Sequence, residues 1–173
     1  ALGYQTLKLK VGSGAAKVAD DITTCNALTK LIAGRAIVRL DANKAWTMEQ
    51  ALEFCKAIDF AAIEYIEEPL KDFVNVGKFY EETLIPVAID ESLKQHSLRE
   101  IKSLDGVEVV ILKPTLLGGF EKITQMAQEA HAYGLRTVLT STFESGIGLR
   151  ALANLAACFS KHSAVGLDTA KWL

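Results

Sequence analysis

The sequence has few of the residues that build disulfides, zinc sites or histidine-based catalytic centres. Its three cysteines lie far apart without a CxxC pattern, and its three histidines show no HxxxH or HExxH spacing. These absences argue against disulfides, a zinc site and a Ser-His-Asp triad. We expect Cys25, Cys55 and Cys158 to be buried free thiols.

The sequence also lacks an excess of charge of one sign and any long apolar run. Its 19 basic and 21 acidic residues nearly cancel, which gives nucleic acid or an anionic membrane no electrostatic footprint. No apolar run approaches the roughly 18 residues of a transmembrane helix, and the opening ALGYQTLKLK does not resemble a signal peptide. With 50% hydrophobic residues, the chain is expected to fold and to bind a small molecule rather than nucleic acid or a membrane.

Short β-branched runs alternate with longer segments of helical periodicity, which is typical of parallel βαβ units. Seven strands are predicted, at 6–11, 36–40, 62–66, 86–89, 107–112, 136–140 and 164–167. So many strands favour a (β/α)8 barrel over an open sheet, and a barrel of this type needs roughly 200 to 250 residues. We therefore predict one domain over residues 1–173, an incomplete barrel with strands 2 to 8 and further residues upstream.

Charged residues follow the predicted strands at the points where the strands end. In a parallel barrel these ends open into one mouth, so charged residues there are placed for chemistry. The segments are LKLKVG, RLDAN, YIEEP, AIDES and ILKP. In order, their candidate site residues are Lys8 and Lys10, Asp41, Glu67 with Glu68, Asp90 with Glu91, and Lys113.

The spacing of these residues predicts a metal site beside two lysines. Lys8 and Lys10 are two residues apart on one strand, so both side chains point to the same face. Asp41, Glu67 and Asp90 end three consecutive strands about 4.8 Å apart, which lets their oxygens converge on one ion. Three hard oxygen ligands select Mg2+, or alternatively Mn2+, over zinc or copper.

Three further polar residues are expected to support this metal site. Glu68 and Glu91 are the second acids of their pairs and alternate away from the barrel axis, so we expect them to hydrogen-bond to the ligands. Asn43 points the same way as Asp41, and either supports the metal site or caps the helix that begins near Thr47. A single acid after a strand is more often a solvated loop residue, so the interpretation depends on the whole set.

These motifs, with KPTLLGG, resemble the successive strand motifs of the enolase superfamily in its muconate lactonizing subgroup, over nearly the whole chain. The phrases LDANKAWT, AIDESL, ILKPTLLGGFEK, TSTFESGIGL and VGLDT resemble the o-succinylbenzoate synthase family. The resemblance implies dehydration of 2-succinyl-6-hydroxy-2,4-cyclohexadiene-1-carboxylate to o-succinylbenzoate, in menaquinone or phylloquinone biosynthesis. It also implies a cytoplasmic protein in a bacterium and a plastid protein in a plant or alga.

The resemblance implies a role for each site residue. Asp41, Glu67 and Asp90 are implied as Mg2+ ligands, and Lys10 as the base that removes the proton α to the substrate carboxylate. A second lysine and a divalent ion both disfavour the charged form of that base, which makes it usable near neutral pH. Lys113 is implied to stabilise the intermediate from the opposite side, with Lys8 in support. The succinyl arm is implied to lie at Ser141, Thr142 and Gly166.

The chain departs from the family in one respect, because no residue can be assigned to the N-terminal capping domain that closes over the barrel mouth. We expect that domain, or a larger fusion chain, to be the missing partner. Three alternatives stay open: a racemase or dipeptide epimerase that uses the same lysines, a Schiff-base aldolase with Lys113 as nucleophile, and an inactive barrel remnant with a structural role. Gly166 and Asp168 stand where an epimerase is expected to carry an acidic pair.

Overall fold

The computed structural model describes residues 3–12, 18–159 and 163–169 of the chain. Within these residues β-strands and α-helices largely alternate. The strands are β1 (Thr6–Lys10), β2 (Ile37–Asp41), β3 (Ile63–Glu67), β4 (Val87–Ile89), β5 (Val107–Leu112) and β6 (Arg136–Leu139). The helices are α1 (Val18–Ile32), α2 (Met48–Ala57), α3 (Val76–Thr83), α4 (Leu98–Lys102), α5 (Pro114–Leu117), α6 (Gly119–Ala132) and α7 (Gly146–Phe159).

The chain divides into two compact units, of which the first comprises residues 1–92 and 103–107. Strands β1 to β4 of this unit lie side by side in chain order, and each pairs in parallel with the next. The register places Lys10 opposite Asp41 and Asp41 opposite Glu67. Because the strands are parallel, these residues meet at the same edge of the sheet.

The first unit is held together by apolar strand residues, and its helix α2 is capped at the N-terminus. Leu40, Ile66 and Val87 are fully buried in neighbouring strands. Helix α2 begins with a capping box, since the Thr47 side chain accepts from the Gln50 N–H and the Gln50 side chain accepts from the Thr47 N–H. The reciprocal bonds satisfy two N–H groups at the helix start and fix the loop after β2.

The second unit comprises residues 93–102 and 108–173. Its strands β5 and β6 pair in parallel, with Val109 opposite Arg136 and Leu112 opposite Leu139. Pro114 begins α5, where its missing N–H and fixed φ cost nothing. Gly134 follows α6 with φ of 74°, a left-handed conformation that glycine adopts readily and that commonly ends a helix.

Two expectations are corrected by the structure. The strand predicted at 164–167 is wrong as a strand, because this segment forms a single bridge between Gly166 and Thr140 and then turns at Leu167 to Thr169. A strand needs a repeating ladder of backbone bonds, and only one step of it forms here. Cys25 and Cys55 are buried free thiols as predicted, but Cys158 is exposed on α7.

Among the described residues, no helix combines the length and the apolar character that crossing a bilayer requires.

Candidate active site

The first unit brings both lysines of LKLKVG onto one carboxylate. The Lys8 ammonium lies 2.9 Å from Asp41 Oδ2 and 2.8 Å from Glu67 Oε2, and the Lys10 ammonium lies 3.1 Å from the same oxygen of Asp41. The two lysines therefore share a face of β1, as the alternation of side chains predicts. Lys8 is more enclosed than Lys10, with side chains 37% and 66% exposed respectively.

The carboxylates of this cluster are almost completely removed from water. Burial raises the pKa of Glu67 to about 8, the charge of Lys8 opposes the rise, and the charges of Asp41 and Asp90 add to it. Burial also acts to raise the pKa of Asp41, but the neighbouring Lys8 and Lys10 outweigh it and hold that pKa below its usual value. Glu67 thus lies among like charges and needs a cation beside it.

Burial lowers the pKa of Lys8, but the charges of Glu67 and Asp41 and its hydrogen bonds to them outweigh this effect. The pKa of Lys8 is therefore raised, and its ammonium is held in the charged form. One positive charge already bridges Asp41 and Glu67 in this cluster.

The chemistry of the donor set fits a hard divalent cation. Asp41, Glu67 and Asp90 are 2%, 1% and 7% exposed, and they contribute only carboxylate oxygens. The contacts of Lys8 with two of them show that the cluster binds positive charge. Within the part of the chain that the structure describes, no group of three or more His, Cys, Asp or Glu side chains is arranged closely enough to hold a metal. Mg2+ ligation by these residues stays a prediction.

Glu68 is buried beside the backbone that carries Asp90. One carboxylate oxygen accepts from the N–H groups of Asp90 and Ser92, at 2.9 and 2.7 Å, and the other accepts from the Ser92 hydroxyl at 2.9 Å. Glu68 has φ of 44°, a left-handed conformation that is uncommon for a residue other than glycine. The strained backbone turns the Glu68 carboxylate toward the segment after β4 and away from the Lys10, Asp41 and Glu67 side chains.

Asn43 and Glu91 form a second link among these loops. The Asn43 N–H donates to Asp41 Oδ1 at 3.1 Å, and its side-chain amide donates to Glu91 Oε1 at 2.6 Å. Asn43 therefore orients Asp41 and joins the loop after β2 to the one after β4. It does not cap α2, because Thr47 is the N-cap of that helix.

Lys113 lies in the second unit, directly after β5. It is half-buried and precedes α5, where its carbonyl accepts from the N–H groups of Leu116 and Leu117, both at 3.0 Å. The strand end and the short helix together fix the backbone at Lys113. Its predicted role as a stabilising charge remains a prediction.

The residues predicted to hold a substrate arm meet in the second unit. Gly166 O accepts from the N–H of Ser141 at 2.9 Å and from its hydroxyl at 3.1 Å, and the hydroxyls of Ser141 and Thr169 lie 3.0 Å apart. A side chain at Gly166 would come within 2.9 Å of the Thr140 methyl group, so glycine is required for this close approach.

Two residues of the second unit were missed by sequence reasoning. The Thr140 hydroxyl is buried without a partner among the described residues, and such a group is costly unless a ligand satisfies it. Glu144 accepts hydrogen bonds from the hydroxyls of Thr115 and Thr142. The only sequence signal was the run TSTFES, which places polar residues directly after β6.

Acidic strand ends on parallel strands, with two lysines on the first, define the class of protein. The family model described as "Enolase C-terminal domain-like" matches residues 1–173. The chain belongs to this family and thereby to the enolase superfamily.

The similar curated proteins include o-succinylbenzoate synthases. That of Klebsiella pneumoniae (strain 342) is 39% identical over 170 residues, which cover 96% of this chain and 52% of that protein. Protein PHYLLO, chloroplastic, of Arabidopsis thaliana is 31% identical over 191 residues, which cover 99% of this chain and 11% of that protein. The chain thus spans about half the length of the bacterial relative.

Solved structures of the superfamily share the fold. The L-Ala-D/L-Glu epimerase from Bacillus subtilis matches with a TM-score of 0.85 and 27% identity, over 99% of this chain and 48% of that one. The muconate lactonizing enzyme from Pseudomonas putida matches with a TM-score of 0.78 and 26% identity, over 95% of this chain and 47% of that one. The prediction of an incomplete α/β barrel is confirmed.

Proposed function

We propose that the protein is an o-succinylbenzoate synthase, a lyase that dehydrates 2-succinyl-6-hydroxy-2,4-cyclohexadiene-1-carboxylate in menaquinone or phylloquinone biosynthesis. The observation that carries the proposal is the row formed by Lys10, Asp41 and Glu67, which lie in register on three neighbouring strands. The identity of 39% with the Klebsiella o-succinylbenzoate synthase supports this reaction.

Lys10 is the better base of the two neighbouring lysines. Lys8 is bridged between Asp41 and Glu67 and its pKa is raised, so it keeps its proton. Lys10 is more exposed, and its ion pair with Asp41 is the longest of the three lysine contacts in this cluster. Its amine can therefore reach a substrate at the strand ends, while Lys8 keeps a fixed positive charge beside it.

The reaction requires removal of a weakly acidic proton next to a carboxylate. Lys10 takes the proton from the carbon that bears the carboxylate, the bond from the neighbouring ring carbon to its hydroxyl breaks, and the elements of water leave. The ring becomes aromatic, which supplies the driving force. Lys113 is proposed to add positive charge that stabilises the developing negative charge.

Asp41, Glu67 and Asp90 would hold Mg2+ or Mn2+, whose charge offsets the negative charge that develops on the substrate carboxylate. Glu68 and Asn43 keep two of these carboxylates in place through the backbone hydrogen bonds described above. The succinyl arm is proposed to lie against Ser141, Thr142 and Gly166.

Formation of o-succinylbenzoate, followed by absorbance, tests the proposed function. The wild-type protein with Mg2+ is expected to form the product, and addition of EDTA is expected to stop the reaction. Product formation at the uncatalysed rate by a folded protein that includes the N-terminal capping domain, in the presence of Mg2+, would overturn the proposal.

A second candidate is racemisation or epimerisation of N-acylamino acids or dipeptides. It is favoured by the TM-score of 0.85 with the Bacillus subtilis epimerase. Lys10 and Lys113 would then act as opposed bases. Incorporation of deuterium at the α-carbon of an N-acylamino acid or dipeptide in D2O, without any dehydration of the cyclohexadiene, would select this reaction over the first.

A further inference from the structure

We infer that Glu144 is a positioning residue that ties the segment carrying Lys113 to the segment carrying Ser141 and Thr142, an inference that rests on the proposed function. Glu144 Oε1 accepts from the Thr115 hydroxyl at 2.6 Å and from the Thr142 hydroxyl at 2.7 Å. Thr115 is two residues after Lys113, and Thr142 directly follows Ser141. One carboxylate oxygen thus joins the chain after β5 to the chain after β6.

The two hydrogen bonds show that the hydroxyl protons of Thr115 and Thr142 both point to Glu144. Each threonine hydroxyl has one proton, and a carboxylate oxygen has two lone pairs that can accept both of them. Burial acts to raise the pKa of Glu144, but the hydrogen bonds from the Thr115 and Thr142 hydroxyls, together with those from the backbone N–H groups of Thr142 and Glu144, outweigh it and leave that pKa below its usual value. The carboxylate is therefore ionised at neutral pH and acts only as an acceptor.

This arrangement changes the role expected of Thr142. Because its hydroxyl proton is donated to Glu144, Thr142 has no proton left for the carboxylate of a succinyl arm. Thr142 therefore acts through Glu144 and the backbone, by holding the segment that includes Ser141.

The local sequence leaves Glu144 little freedom. A Cβ atom at Gly148 would lie 2.9 Å from the Glu144 Cβ, so the glycine makes room for the glutamate at the start of α7. The other oxygen, Oε2, is buried without a hydrogen-bond partner among the described residues. Both threonine hydroxyls therefore bond to Oε1.

Hydrogen–deuterium exchange of the whole protein tests the contact itself. Glu144→Ala is expected to speed amide exchange in peptides covering 113–118 and 140–148 by about tenfold, the effect of one lost hydrogen bond. Glu144→Gln keeps an acceptor oxygen and should exchange nearly as the wild type does. Glu129→Ala, which removes an exposed carboxylate from α6 of the same unit, is the matched control. Unchanged exchange in Glu144→Ala would overturn the inference, whatever the protein catalyses.

Kinetics with the cyclohexadiene substrate then separate positioning from a purely structural role. Thr115→Val should lower kcat about tenfold with little change in KM, because it loosens the Lys113 segment. Thr142→Val should mainly raise KM, and Glu144→Ala should do both, while Glu144→Gln restores most of the activity. A lower Tm with unchanged kcat and KM in all the variants would reduce Glu144 to a structural residue and overturn the inference.

The two tests also keep this inference separate from the proposed function. If the wild-type protein does not dehydrate the cyclohexadiene, the proposed function fails, and the same variants are measured in the α-proton exchange reaction of the second candidate. The exchange of peptides 113–118 and 140–148 still decides whether Glu144 holds the two segments.

Discussion

At the scale of single residues, two lysines separated by one residue have different environments. Lys8 contacts two buried carboxylates and Lys10 contacts one, although both come from the same strand and face. The residue type sets the range of chemistry, and the two carboxylates around the Lys8 ammonium hold that lysine in its charged form. The assignment of Lys10 as the base rests on this difference.

Glu67→Gln is expected to weaken Mg2+ binding by at least about tenfold, because it removes one of three carboxylate ligands. The metal-free protein should lose little stability, since the replaced carboxylate lies among like charges and Lys8 keeps its contact with Asp41. Calorimetric titration with Mg2+ and thermal melting in EDTA measure the two effects. Unchanged Mg2+ affinity would remove Glu67 from the metal site.

Glu64→Gln on the same strand is the matched control for that experiment. Glu64 accepts from the Arg39 guanidinium at 2.6 Å, and Arg39 also lies over the Tyr65 ring, 5.2 Å from its centre. Breaking this partly buried ion pair should lower the Tm more than Glu67→Gln does, while Mg2+ affinity stays that of the wild type.

Strand-end charges could be predicted from the sequence because the alternation of side chains along a strand is fixed. The shared face of Lys8 and Lys10 follows from that rule alone. Glu144 and Thr140 could not be predicted in this way. Their environments depend on Thr115 and Gly166, which lie more than twenty residues away in the chain and come close only through folding.

At the scale of elements, the loops after the strands of the first unit concentrate backbone strain. Asn43, Lys44 and Glu68 have φ of 48°, 59° and 44°, in the left-handed region. Asn43 and Lys44 follow the strand that ends at Asp41, and Glu68 follows the strand that ends at Glu67. The Asn43 N–H donates to Asp41, and Glu68 accepts from the Asp90 N–H. The strained backbone of these loops therefore holds the acidic residues in a fixed arrangement.

Glu68→Ala should destabilise the protein by about 3 kcal/mol, because it leaves the buried N–H groups of Asp90 and Ser92 without an acceptor. Mg2+ affinity should also fall by about tenfold or more, since the backbone of Asp90 loses its support. Urea unfolding and Mg2+ titration measure these losses. Ser92→Ala removes only the hydroxyl bond and should cost clearly less, and equal losses in both variants would contradict the account.

The pH dependence of stability follows from the lowered pKa of Glu144. Since this pKa lies below the 4.5 of an ordinary glutamate, the unfolded chain binds more protons between the two values. The stabilisation is therefore fully present above about pH 4.5 and is lost as the pH falls through the lower, folded value. The difference in unfolding free energy between wild type and Glu144→Gln should shrink as the solution is acidified. A difference that is constant or grows on acidification would contradict this sign.

The order and type of the elements could be predicted from periodicity, but not the last strand. Predicted and observed strands agree to within one residue at each end from β1 to β6. The segment at 164–167 has the composition of a strand, yet it makes one bridge to Thr140 and no ladder. The amino-acid composition of a segment indicates only whether its backbone tends to be extended. Whether it forms a ladder of hydrogen bonds depends on neighbouring strands, which the local sequence does not reveal.

At the scale of the whole molecule, the chain corresponds to about half of the o-succinylbenzoate synthase from Klebsiella pneumoniae. Its first unit carries the lysine and carboxylate cluster, and its second unit carries Lys113 and the segments joined by Glu144. The family and the α/β barrel class are established by matches that extend over the whole chain or nearly all of it. The reaction depends on the chemistry of a few strand-end residues.

The most direct test of the central claim is a paired measurement on Lys10→Ala. The account predicts that this variant binds Mg2+ as tightly as the wild type, because Asp41, Glu67 and Asp90 are unchanged. It also predicts that formation of o-succinylbenzoate falls by about a thousandfold, the size of effect expected from loss of a general base. Turnover within about tenfold of the wild type, with Mg2+ still bound, would show that Lys10 is not the base and would contradict the account.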